Sequence, residues 1–440
     1  YVAQIGFKRI YDEKYYIFTV YVTKMVIFRI MKKFIYALYD LANSSYSAIV
    51  ITFVISTYFA RQIVGDMQLG AAYWQWTAGL CGLLIAISGP ILGEIADRKK
   101  NGLIYFLRLF TFLCLFLTCL FLFSKPDSNF ILFTLIIFFL SNYCYELAQI
   151  YYNSLLKQSS KDSDLGKTSG FGFGLGYLGT VPVLLFVLYF FILPEQTLFD
   201  LDKTNFENIR FTAFIVVIWF FIFSLPMLFK FSPSKPIEKN SSSGGMIKKI
   251  FEIIWQKKLT QTGKFLLARM LYADALIVLI SGGGVYATGV FGFDFKEILQ
   301  MAIAANLVAF IGVIIGGYFN DKYSSKKIIL ICIIALVACV IFSSMIAKTK
   351  IEFFICVMII SIFLGTIQSA SRVMMSLLLN ADNSGKGFGL YAFSGRITSF
   401  LGPLLVGTMT FMFSQRVGLL SCTLLFILGF LLMLRVKEVE

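Results

Sequence analysis

Between Met67 and Gly93, and again between Thr168 and Pro194, the chain runs for 27 residues without one formally charged side chain. Few folds accept such runs. In a bilayer, about 20 apolar residues wound as an α-helix cross the hydrocarbon core while pairing their backbone amides internally. Similar runs recur along the sequence. Bounded by charge and turn residues, they predict twelve spans near 34–60, 72–93, 102–123, 130–152, 170–193, 211–230, 264–290, 297–319, 327–347, 351–378, 388–412 and 416–435. Of the 440 residues, 58% are hydrophobic and 14% charged, where a soluble chain carries about a quarter charged. Twelve spans need roughly 240 apolar residues, and the chain holds roughly 255. The expected fold is an all-α polytopic membrane protein with twelve transmembrane helices in two six-helix bundles. A soluble enzyme, a DNA-binding protein and a disordered chain are excluded.

No histidine occurs anywhere. That removes Ser-His-Asp and Cys-His nucleophile systems, His-ligated haem and the usual zinc sites. No enzymatic activity, metal or other cofactor is expected, and any proton handling falls to carboxylates. The eight cysteines all lie in apolar runs and no pair reads CxxC, so they read as small buried hydrophobes.

The net charge of +15 is distributed as a topology signal. With the spans above, 27 of the 39 bases fall on the side of the N-tail, the even-to-odd loops and the C-tail, against eight on the other side. The positive-inside rule then places both termini in the cytoplasm, in the inner membrane if the cell is bacterial. The partners expected are the lipid bilayer and a small-molecule substrate, with protons as a coupling ion and no nucleic acid; a monomer is expected. No cleavable signal peptide is read at the start.

The stretch 231–263, with SPSKPIEKNSSSGG, splits the spans into six and six and reads as a flexible cytoplasmic linker ending in a basic amphipathic piece around Ile247–Trp255. The organisation expected is an N-terminal extension over 1–33, bundles over 34–230 and 264–436, and a tail at 437–440. Each half carries the same hairpin between its second and third spans: GEIADRKK (Gly93–Lys100) and GYFNDKYSSKK (Gly317–Lys327). In both, Gly precedes Asp by four and a base follows; Asp97 and Asp321 lie 224 residues apart. Duplication at a half-chain period indicates a two-bundle transporter with its site between the halves.

Seven charges fall inside spans: Asp40, Arg108, Glu146, Arg269, Asp274, Arg372 and Arg396. Each costs roughly 2.5–3.5 kcal/mol on insertion scales, so each faces the bundle interior or a partner. All seven lie toward the cytoplasmic ends. An ion-pair network closing that face is expected, with Gly93, Asp97, Arg98, Arg108, Gly317, Asp321, Lys322 and Arg396 as gate residues and Glu146 joining them. Polar residues also share helical faces: Tyr36, Asp40, Asn43 and Ser47 in the first span; Asn142, Glu146, Gln149 and Asn153 in the fourth; Gln368, Ser371 and Arg372 in the tenth. The seventh adds Tyr272 and Asp274, with Arg269 expected to point elsewhere. Substrate-cavity lining is expected of Tyr36, Asp40, Asn43, Asn142, Glu146, Gln149, Tyr272, Asp274, Gln368 and Arg372. Arg372 suits a carboxylate and Asp40 or Asp274 an ammonium; Asp40, then Glu146, are first choices for a titrating carboxylate.

GEIADR matches the loop signature of the major facilitator superfamily. YALYDLANSSYSAIVITFVISTYFA (Tyr36–Ala60), ARMLYADALIVLISGGGVYATG (Ala268–Gly289) and the stretch Gln368–Gly407 resemble, more narrowly, the vacuolar amino-acid effluxers linked to autophagy and their bacterial relatives. The resemblance implies alternating access, cavity-lining first, fourth, seventh and tenth spans, and export-type transport of a small solute such as an amino acid. The alternatives are a facilitative uniporter of another polar solute and a non-transporting sensor on a transporter scaffold. Gly174–Gly179 spells GxGxxG, but in a span it reads as helix packing, with Gly172 and Gly176 as a small-xxx-small step. Gly282–Gly284 reads as a broken or flexible helix, Pro90 and Pro403 as kinks, and Trp74 and Trp76 as an aromatic belt.

Overall fold

A computed structural model describes residues 30–196, 198–231, 251–293, 295–380, 383–396, 398–399 and 401–437. Most of the N-terminal extension, most of the linker and residues 438–440 lie outside this set. The helices are α1 (Ile30–Ile63), α2 (Met67–Arg98), α3 (Gly102–Phe123), α4 (Ser128–Ser154), α5 (Asp162–Ile192), α6 (Glu207–Lys230), α7 (Gln261–Phe291), α8 (Phe295–Tyr323), α9 (Ser325–Ile346), α10 (Lys350–Leu378), α11a (Ser384–Arg396), α11b (Leu401–Met412) and α12 (Gln415–Leu434). A two-residue hairpin, β1 (Trp255–Gln256) with β2 (Lys258–Leu259), precedes α7. The helices form two six-helix bundles, α1–α6 and α7–α12.

Two spans differ from expectation. The eleventh, read as continuous over 388–412, ends at Arg396 and resumes at Leu401. Gly402-Pro403 explains the break. Proline removes an amide donor and biases the residue before it away from helix, which favours it in the first turn of a new helix, where it sits in α11b. The seventh bends by 45° between Gln261–Ile280 and Gly282–Phe291. Gly282, Gly283 and Gly284 have nothing within 4 Å of where a Cβ would lie, so their absence of side chains serves flexibility rather than close packing. Pro90, in contrast, lies inside the unbroken α2.

The glycines of α5 alternate between two neighbours. Gly172, Gly176 and Gly179 face α1, where a Cβ on Gly172 would stand 2.5 Å from Asp40 Oδ2. Gly170 and Gly174 face Val313 and Ile314 of α8. The GxGxxG string is thus two packing stripes of one helix. All eight cysteines are free, seven of them buried. Trp74 does not join a belt: it is buried and stacks on Phe138 with centroids 3.7 Å apart, while Trp76 is 68% exposed. Their two-residue spacing puts them on opposite sides of α2.

Candidate functional site

The halves meet at the face that bears Ile30 and Lys437. Near the end of α2, the Asp97 carboxylate accepts the Gly385 and Lys386 amides at 2.8 and 3.0 Å. Near the end of α8, Asp321 accepts the Gly166 and Lys167 amides at 2.5 and 2.9 Å. Each pair of amides opens an α-helical stretch in the other half, α11a from Ser384 and α5 from Leu165 after a 3-10 turn, where backbone donors lack intrahelical partners and the helix dipole favours an anion. The duplicated hairpins therefore make the same contact twice, about a pseudo-two-fold axis. Gly93 and Gly317 allow it: a Cβ on Gly317 would stand 2.6 Å from the Gly166 carbonyl, and one on Gly385 2.5 Å from that of Gly93.

The residue after each hairpin glycine meets the lysine beside the capped amides. Glu94 pairs with Lys386 at 2.8 Å, both buried, and with Arg98 at 3.0 Å. In the second copy Tyr318 takes the place of Glu94, and Lys167 lies 5.5 Å from its ring. Lys322, the second-copy base, sits 5.3 Å from the Tyr323 ring of its own helix. Arg108 does not bridge the halves: it donates to the Leu228 carbonyl of α6 and lies 5.4 Å from Phe229. Its position on α3, an outer helix of the first bundle, leaves it no reach to the second.

Two more ion pairs cross deeper. Arg372 of α10 is 2% exposed and meets Asp40 of α1 at 3.1 Å. It also donates to Ser169 Oγ at 2.9 Å, the Ser169 carbonyl at 2.8 Å and Asn153 Oδ1 at 3.3 Å, and lies 4.1 Å from the Phe173 ring. Arg396 of α11a pairs with Glu146 of α4. A buried pair recovers its desolvation cost only with further hydrogen bonds, which Arg372 has.

Beside these pairs lies a cavity of about 310 Å³. Its walls include Glu146, Gln149 and Asn153 of α4, Arg269 and Tyr272 of α7, Gln368 and Ser371 of α10, and Tyr391 and Arg396 of α11a. Glu146, Gln149, Tyr272 and Gln368 are thus on the walls. Tyr36, Asp40, Asn43, Asn142, Asp274 and Arg372 are not. Tyr36 stacks on Tyr152 with centroids 4.3 Å apart, Asn43 is buried, and Asn142 donates to Cys81 Sγ at 3.4 Å. Arg269 does not point elsewhere. It shares the cavity with Tyr272, because residues three apart on a helix share a face and residues two apart, such as Tyr272 and Asp274, do not. Arg269 donates to the Tyr391 carbonyl at 2.6 Å and Ser394 Oγ at 2.8 Å. Sequence reasoning missed Glu94, Lys386 and Ser169. Glu94 and Lys386 sit at span ends, where a charge raises no alarm, and Ser169 adjoins a glycine-rich run that reads as helix packing.

Residues 157–439 match the family described as "Vacuole effluxer Atg22 like". The "Uncharacterized MFS-type transporter YxiO" of Bacillus subtilis is 26% identical over 426 residues, covering 92% of this chain and 94% of that protein. The "Autophagy-related protein 22" of Eremothecium gossypii is 24% identical over 372 residues, covering 74% and 69%. Among solved structures, the proton:xylose symporter XylE superposes with a TM-score of 0.73 at 12% identity, covering 94% of this chain and 96% of that one. The E. coli fucose:proton symporter FucP gives 0.72 at 14% identity, covering 94% and 99%. Both share the fold.

Proposed function

The chain belongs to the vacuole effluxer Atg22-like family of major facilitator transporters, and from that premise we propose that it exports a small zwitterionic solute, an amino acid, by alternating access with protons as the coupling ion. It is a multi-pass membrane transporter and not an enzyme. The observation that carries the finer reading is a cavity bearing both signs of charge, set against a face fastened by Asp97, Asp321 and two crossing ion pairs. On the positive-inside argument that face is cytoplasmic, and the conformation is the one closed to the cytoplasm.

Within the cavity, Arg269 is the group for the substrate carboxylate. Its partners are a carbonyl, a hydroxyl and the Tyr391 ring 3.4 Å away, and among the described residues it forms no ion pair, so no carboxylate neutralises its charge directly. A guanidinium offers a carboxylate two parallel bonds. Glu146, shared with Arg396, faces the ammonium, and Tyr272 and Tyr391 supply aromatic walls. Arg372, saturated by four hydrogen bonds, is a fastening rather than a ligand. A monomer contains every group this scheme uses.

Counterflow in proteoliposomes tests it. Vesicles preloaded with one unlabelled amino acid from a panel of the twenty are exposed to its labelled form. Saturable uptake accelerated by the internal pool supports a carrier. No accelerated flux for any member overturns the amino-acid reading and favours a sensor.

A further inference from the structure

Asp274 is fully buried, and among the described residues neither of its carboxylate oxygens has a hydrogen-bond partner. It lies on α7 seven residues before the 45° bend and packs against the start of α11b, where a Cβ on Gly402 would stand 2.6 Å from the Asp274 carbonyl. Thr398 Oγ1, in the gap between α11a and α11b, is likewise buried and without a hydrogen-bond partner among the described residues. A carboxylate held ionised in such surroundings is expensive. The other in-span acids are committed: Asp40 to Arg372 and Glu146 to Arg396, both pairs crossing between the halves.

We infer that Asp274, with Thr398 at the break of the eleventh span, is the site where the coupling proton rides, carried in the conformation seen here and released when the opposite one forms. This rests on the transport reading for its purpose. The step is the equilibrium of one carboxylic acid with its carboxylate and a free proton. The charged groups facing the site are few. On α7 itself there is Arg269; Arg396 of α11a and Glu146 of α4 are paired with each other on the cavity, whose walls do not include Asp274. On α10, Arg372 is committed to Asp40, and α12 carries only Arg416, at its far end on the Ser344 and Ala347 carbonyls. Arg269 is the one that acts on Asp274. Because Arg269 also grips Tyr391 and Ser394, a charge appearing on Asp274 pulls at α11a. That helix holds Arg396 and the amides capped by Asp97, so the pull loosens both fastenings.

Spin labels on Lys100→Cys and Lys327→Cys, one in each half, report the fastened face by electron–electron distance measurement in nanodiscs at pH 6 and pH 8, in a Cys119→Ala background. We expect the long-distance population to rise about fivefold between the two in the otherwise unaltered chain, as one linked proton permits. Asp274→Asn holds the short distance at both, and Asp274→Glu restores the response, with monodispersity on gel filtration verifying the fold. An Asn variant that keeps the full response, or a parent chain with none, overturns the inference. No substrate is used, so the two readings fail separately: absent counterflow with a pH response kept by Glu and lost by Asn condemns the transport reading alone.

Discussion

Arg372 shows what a lysine in its place would lose. Four hydrogen bonds leave three different guanidinium nitrogens toward α1, α4 and α5, and one ammonium cannot span those directions. We expect Arg372→Lys to cost about 2 kcal/mol through lost hydrogen bonds. Arg372→Gln, which strands a buried Asp40, should cost about 3–5 kcal/mol. Thermal unfolding in detergent ranks them; a lysine variant as stable as the parent would contradict the account. A double-mutant cycle on Glu94→Gln and Lys386→Met should give a coupling of about 1.5 kcal/mol or more, in the range of close, desolvated charge pairs; additive effects would show the pair to be idle. The in-span charges were legible as residues that must find partners, because the bilayer penalises them wherever they lie. Which partner each finds was not legible. That depends on tertiary proximity, as the 332-residue separation of Asp40 and Arg372 illustrates.

At the scale of helices, the closed face depends on backbones that nearly touch. A side chain on Gly170 would run into the Val313 carbonyl and Gly317. Gly170→Leu should therefore hold α5 off α8 and raise maleimide labelling, from the terminal face, of a cysteine placed at Gln149 on the cavity wall. Labelling at the parental rate would exclude that glycine contact as the seal. The bend in α7 calls for the opposite experiment. Ala at 282, 283 and 284 meets open space, so each replacement should favour helix by about 1 kcal/mol. We expect a higher unfolding temperature and slower counterflow in the triple variant; faster or unchanged flux would mean the bend does not move. Sequence patterning found almost every span, since apolar length is set by bilayer thickness. It ran through the eleventh as one helix because the residues at the break are as apolar or small as those around it, and only Gly402-Pro403 hinted at a restart.

Across the whole molecule, the two halves repeat one contact, yet the copies are unequal. One is reinforced by a buried ion pair and the other by a lysine over a tyrosine ring. Asp97→Asn and Asp321→Asn should each raise labelling at the same Gln149→Cys reporter, and the double variant should exceed either. Equal labelling in all three and the parent would remove these carboxylates from the closure. The duplicated hairpins announced this arrangement in the sequence, but only as two acids awaiting opposites.

Those opposites are main-chain amides, and this bears on how such a protein drifts. An acid that grips peptide groups does not dictate which side chains its counterpart carries. Positions 167 and 386 can exchange side chains without breaking the four bonds, while 166 and 385 stay glycine because a Cβ there would stand 2.5 Å from Asp321 Oδ1 and from the Gly93 carbonyl. A search for paired changes between the two halves would see Asp97 and Asp321 stand still against a shifting background. The contact that holds the halves together would leave almost no correlated trace.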